Sequence, residues 1–296
     1  MCRHRQVPAS RTVFGAKVLL TLGLLVVSAI RADSTNTSPG STIATTAVGI
    51  ERFVLKTDPI AIPGATNCSG IAFNSQTRTL FVVANSPTEI YELEMDGKIR
   101  RTIELTGFDD TEDIAFVGER TFGVLEEKRR NLCLVDIPSN ATSVAYANAV
   151  KFPVDPVAAG NSGPEGVTYD AAQERFFVVK EKNPRRIYMF SRPDAHARRA
   201  TVTNPWDIET NNLKCRDLSG IHYHAGTGHL LILSDESKCV VETTLEGEEI
   251  ARLSLVAGFG GLSASVPQPE GITVDDEENL YVCSEPNLLY IYSRKK

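Results

Sequence analysis

Apolar residues in this chain come in short runs separated by turn formers, and past the first thirty positions they hold no helical period beyond a turn. The runs return as a set. Ser69-Gly70-Ile71-Ala72-Phe73 is followed by Leu80-Phe81-Val82-Val83-Ala84-Asn85 and then by Ile90-Tyr91-Glu92-Leu93. The same layout reopens at Glu112-Asp113-Ile114, Glu165-Gly166-Val167, Ser219-Gly220-Ile221 and Glu270-Gly271-Ile272, in steps of 43, 53, 54 and 51 residues. Repeats of roughly 40–50 residues built from four short strands are the signature of a β-propeller. The expected fold is therefore all-β, a five-bladed β-propeller over residues 49–296. Its fifth unit runs out after the third strand, so the strand-like stretch from Glu51 to Ile62 is expected to supply the missing outer strand and close the ring. Outer strands of other units are expected at Ile99 to Leu105 and Glu249 to Leu255.

Two columns of oxygen-bearing side chains run through the repeat. One opens each innermost strand: Ser69, Glu112, Glu165, Ser219 and Glu270. The other ends the second strand: Asn85, Glu126, Glu181, Asp235 and Glu285. Antiparallel neighbours joined by a hairpin place the start of one strand beside the end of the next. Around a ring, the ten positions then share one face near the central channel. Seven are carboxylates: Glu112, Glu165, Glu270, Glu126, Glu181, Asp235 and Glu285. Crowded like charges raise one another's pKa, so protons, lysines or a cation must relieve them. Hard oxygen donors without thiolates or paired imidazoles suit Ca²⁺ better than Zn²⁺. At any one position, plain turn chemistry of the Glu-Gly or Ser-Gly pair is the competing explanation. His222 and His224 straddle one strand residue; this reads as a solvated strand face, with a zinc pair as the alternative.

Composition adds a compartment. The first 32 residues carry five basic and no acidic side chains around the apolar run Val18 to Ile30, with a small-residue exit near Ala29. That is the layout of a secretory signal, with an uncleaved membrane anchor as the alternative. Residues 33–48 read as a flexible linker. Without residues 1–32 the chain holds 26 basic against 37 acidic residues, a formal charge of −11, which argues against nucleic acid and anionic membranes as partners. Contact with a membrane is expected only through an uncleaved N-terminal segment. The cysteines after Cys2 show no CxxC; a Cys215–Cys239 disulfide and buried free thiols are both open.

Glu165-Gly166 with Lys180-Glu181-Lys182-Asn183-Pro184, Asp217-Leu218-Ser219-Gly220 with Leu233-Ser234-Asp235-Glu236-Ser237, and Pro267-Gln268-Pro269-Glu270-Gly271 with Ser284-Glu285-Pro286-Asn287 resemble the SdiA-regulated family over roughly residues 50–293. This family is related to NHL-repeat propellers. The resemblance implies a five-bladed propeller behind an N-terminal signal or anchor, with a Ca²⁺ site. One departure stands out: where the family carries Glu-Gly in the second unit, this chain has Glu112-Asp113, which either adds a carboxylate or shifts that loop. The expected function is a secreted, periplasmic or cell-surface calcium-binding module, its loop face taking a protein or small extracellular ligand. The alternative is a metal-dependent hydrolase of phosphoesterase or lactonase type at the channel mouth, aided by Lys180, Lys182, Arg185 and Arg186. A glycosidase using two of the acids is a third reading. No GxSxG nucleophile motif occurs.

Overall fold

The computed structural model describes residues 46–154, 163–192, 203 and 213–295. The predicted signal, most of the predicted linker and Cys2 lie outside them, and no helix among the described residues is long and apolar enough to cross a membrane. Five sheets form five blades, antiparallel throughout except where Ser143–Ala145 adds parallel to the outer edge of the first. Their innermost strands are Asn67–Asn74, Thr111–Gly118, Pro164–Asp170, Gly220–His224 and Gln268–Val274. Each innermost strand packs against the next, and the fifth against the first, around a central channel. Beyond it, each blade adds a second and a third strand in hairpin order. The fourth strands Ile99–Thr106 and Glu249–Ser254 form at the expected places. On the fifth blade, Phe53–Leu55 pairs antiparallel with Leu288–Arg294, Phe53 lying opposite Arg294.

The second strands read as nearly continuous apolar runs because both their faces are covered. In Thr79–Ser86, the side chains of Phe81 and Val83 enter the seam with blade two, while Leu80, Val82 and Ala84 enter the seam with blade five. Period-two alternation thus sends one strand's residues into two cores. The described residues form five such clusters, one for each seam.

At the channel the seams become very tight. A Cβ on Gly166 would stand 2.9 Å from the Cα of Gly220, and one on Gly271 2.7 Å from the Cα of Gly70. Only glycine allows that approach, which explains the glycine after the opening residue of four blades. Blade two has Asp113 there. The expected outcomes, an added channel carboxylate or a shifted loop, are both corrected by the structure. The bulge between Thr111 and Asp113 matches the bulges at Cys68/Gly70, Pro164/Gly166 and Pro269/Gly271, so the backbone is unshifted. The Asp113 side chain, 2% exposed, turns into the seam and accepts from the Ile114 amide at 2.8 Å and the Val167 amide at 2.7 Å. It also accepts from the Ile71 amide, tying three blades together, although burial pushes its carboxyl well above the usual range.

A second buried carboxylate holds the chain where it enters the propeller. Glu242 accepts from the Val48 amide at 2.7 Å, the Gly49 amide at 3.1 Å and pairs with His229 Nδ1 at 2.7 Å. Cys68, Cys133, Cys215, Cys239 and Cys283 are all buried free thiols. Cys215 and Cys239 are hydrogen-bonded neighbours, and that bond holds the Cys215 thiol below its ordinary pKa.

Asp113→Gly restores the residue the other blades use, yet strands buried amides without acceptors. It is expected to lower the unfolding free energy by about 2–3 kcal/mol in urea denaturation.

Candidate functional site

One end of the channel is an acidic cavity of about 370 Å³ lined by thirteen residues, none of them Lys, Arg, His or Cys. Three columns account for all thirteen. The opening column contributes Glu112, Glu165, Ser219 and Glu270; Ser69 is buried, its hydroxyl donating to the Asn67 carbonyl at 3.4 Å. The hairpin-end column contributes Asn85, Glu127, Glu181, Asp235 and Glu285. The third column, Asn67, Asp110, Asp217 and Gln268, lies two residues before the opening column, on the same strand face. Sequence reasoning missed it, although the two-residue spacing was there to be read. Its fifth member is Gly163, where a Cβ would fall 2.2 Å from the Glu127 side chain; the missing side chain makes the room that Glu127 fills.

Six of the seven predicted carboxylates meet here: Glu112, Glu165, Glu270, Glu181, Asp235 and Glu285. Glu126 does not. It is fully buried, accepting from the Asp109 amide at 2.9 Å and the Arg129 guanidinium at 2.5 Å. Its neighbour Glu127 faces the cavity instead, because strand neighbours point to opposite faces. The register identifies the equivalence: Ile114 lies opposite Val124 as Val167 lies opposite Val178, so Glu127 matches Glu181.

Blade two holds the densest group. Asp110, Glu112 and Glu127 each offer an oxygen within 4.8 Å of the others. Asp110 adopts a left-handed backbone, φ 61°, and its Oδ1 accepts from Asn85 Nδ2 at 2.9 Å. Glu127 accepts from the Gly163 amide at 2.6 Å, and its own amide donates to the Asp110 carbonyl at 2.9 Å. On blades three and four, lysines reach the rim: Lys182 pairs with Glu181 at 2.6 Å and Lys238 with Asp235 at 2.5 Å. Asp217 is satisfied by Ser234 and by the Glu236 amide at 3.0 Å. The Ser219 hydroxyl donates to the Pro269 carbonyl at 2.7 Å, so it is engaged in a blade-to-blade bond.

Burial, then the neighbouring acids, push the Glu112 carboxyl up to about 8 and that of Glu270 up to about 9. Glu165 is held well above the usual range by the same causes. Glu127 and Glu285 are raised too, burial again leading.

His222 and His224 form neither a zinc pair nor a solvated face. The His224 ring is buried, with Nδ1 3.0 Å from Thr227 Oγ1 and Nε2 3.2 Å from Glu278. His222 lies in the channel wall at the opposite end from the acids.

A family model described as SdiA-regulated matches residues 46–293. Among solved structures, the chain is similar to one in the nidogen/laminin complex, at 14% identity over 74% of this chain and 73% of that one, TM-score 0.51. It is also similar to a protein of unknown function from Bacteroides thetaiotaomicron, at 15% identity over 78% of this chain and 56% of that one, TM-score 0.50. A gluconolactonase from Xanthomonas campestris aligns at 11% identity over 80% of this chain and 96% of that one, TM-score 0.47. At these identities the first two share the fold alone.

Because the folded-state pKa values of Glu112 and Glu270 lie above their ordinary 4.5, the folded chain keeps protons that the unfolded chain has released. Their contribution is fully present below about pH 4.5 and is lost as the pH rises through 8 to 9. Thermal melts in chelator are expected to fall across that window, and the fall should shrink in Glu112→Gln/Glu270→Gln, with the remainder carried by Glu165 and the other raised acids.

Proposed function

The chain belongs to the SdiA-regulated family, and on that footing we propose that it is an extracytoplasmic propeller whose acidic mouth binds Ca²⁺ and serves as a binding module. The observation that carries this reading is the cavity lining: nine carboxylates and four neutral oxygen-bearing side chains, with no basic residue among them. Such a set repels itself unless a cation or protons intervene.

The donors fit the ion. Two oxygens on opposite sides of a Ca²⁺ held at about 2.4 Å stand about 4.8 Å apart, and Asp110, Glu112 and Glu127 fall within that spread. These three, with Glu165 from blade three and Glu270 from blade five across the mouth, are the residues that would hold it. Bound there, the ion would supply charge neutralisation and a positive centre able to polarise a ligand oxygen. The lysines of blades three and four already match Glu181 and Asp235.

A second reading, a metal-dependent hydrolase of lactonase or phosphoesterase type, has one observation in its favour. A cavity of about 370 Å³ is far larger than one ion and leaves room for a substrate beside it. In this reading Lys182 balances Glu181 and Glu236 rather than contacting substrate. Lys180, buried, donates to the Lys182 carbonyl at 2.7 Å and lies outside the cavity lining. Residues 1–32 would deliver the protein out of the cytoplasm as a signal or anchor.

CaCl₂ at a hundredfold excess over its Kd should stabilise the fold by about 2.7 kcal/mol, a melting shift of several degrees by calorimetry. Glu112→Gln with Glu127→Gln should abolish the shift, whereas Glu126→Gln should keep it. A response insensitive to the first pair would overturn the assignment of the site. Hydrolysis in lactone and phosphoester panels, lost on chelation, would favour the second reading.

A further inference from the structure

The innermost strands are graded along their length. Two residues past the acids come Ile71, Ile114, Val167, Ile221 and Ile272, at most 3% exposed, and they floor the opposite mouth. Two residues further stand Phe73, Phe116, Tyr169 and Tyr223 on four blades, each partly exposed to a cavity of about 340 Å³. That volume lies in the range of small-molecule sites, which are mostly apolar with a few convergent polar groups.

The tyrosine hydroxyls are occupied elsewhere, that of Tyr169 with Arg192 and that of Tyr223 with Arg175. The rings of Phe116, Tyr169 and Tyr223 pack in the seams against Phe122, Phe176 and Phe177, with centroids 5.3, 4.6 and 5.7 Å apart, and the ring surface left over borders the cavity. The ring nitrogens of His224 are both engaged. His222 differs. It takes the inner-strand level at which Thr168 accepts from the Tyr223 amide at 3.0 Å and Thr273 from the Phe73 amide at 3.2 Å. Its own imidazole lines the cavity, and no hydrogen bond to another described residue involves it.

We propose that this aromatic mouth is a second binding site, separate from the acidic one, for a small uncharged aromatic molecule whose hydroxyl pairs with the His222 imidazole. Aromatic surface on four sides favours a flat π-system in edge or offset contact. The site offers a charged group no free partner. Burial and the neighbouring His224 hold the His222 pKa down to about 3, so the imidazole is neutral and cannot neutralise an anion. At the rim, Asp276 is matched by Arg78 at 3.2 Å and Glu278 by His224 and Arg294, which leaves no unpaired acid there for a cation. Asp275 is saturated by the Asn279 amide and side chain and the Tyr281 hydroxyl. A neutral imidazole can donate to or accept from a hydroxyl, and that bond would fix the ligand's orientation.

The test uses the full chain in Ca²⁺-containing buffer, with phenol as the probe and the imidazole ¹⁵N resonances of His222 as the readout. Phenol should move those resonances saturably, with benzoate and benzylammonium binding at least tenfold more weakly. Ala225→Trp, on the exposed turn at the rim, should leave the melting temperature unchanged and weaken phenol at least tenfold. Glu165→Gln, in the acidic mouth, should leave phenol binding intact. A linear, unsaturable shift, an equal response in Ala225→Trp, or a charged ring binding as tightly as phenol would overturn the proposal.

Discussion

The close approach of five backbones around the channel governs the rest of the molecule. Where Gly166 meets Gly220 and Gly271 meets Gly70, there is no space for even a methyl group. This contact fixes how narrow the channel is. It therefore fixes how near one another the side chains before and after it must lie. An acid placed immediately before that position has no way to avoid its counterparts on the other blades. The acidic cavity is in that sense a consequence of the backbone seam, with the chemistry written onto positions that geometry had already gathered.

The same seam separates two environments. Outside it lie nine carboxylates, several of which burial and mutual repulsion keep from ionising as a free acid would. Inside it, one step of the period-two pattern gives an aliphatic tier, and a further step gives aromatic rings. Water and ions are favoured at one mouth, apolar surface at the other, and the closed tier of β-branched side chains keeps them apart. Blade two is the exception within the ring. Asp113 uses the seam itself, replacing the missing Cβ contact with three backbone hydrogen bonds, and it sits beside the tightest group of cavity acids.

Much of this was legible in the sequence, because a repeat states the same local choice five times. The strands, their order, the blade count and six cavity carboxylates follow from the returning motif and from hairpin geometry. What escaped had particular causes. Phe176-Phe177 offers two aromatic residues to align with the single Phe122, and the wrong choice shifts the strand end by one, exchanging Glu127 for Glu126. One residue in a strand is the difference between the cavity and the core. Asp110 and Asp217 precede their strands' opening residues, and only the two-residue period carried into the preceding segment marks them as cavity-facing. The direction of Asp113 depends on how close blades one and three stand, a distance no single segment encodes. His222 and His224 look alike on paper, but His224 is held by Thr227 and Glu278 while His222 lines the channel cavity.

The pairing of Phe53–Leu55 with Leu288–Arg294 joins stretches separated by almost the entire propeller. Contacts of such long range form late, since the chain between them must first be gathered. The acidic mouth draws on all five blades, so a chain still emerging from the ribosome would present only a fraction of its donors. An ion that needs several of them would have little to hold on a partial ring. Cation occupancy would then be a late event in biogenesis, marking molecules whose last blade is in place and distinguishing finished propellers from those still being made.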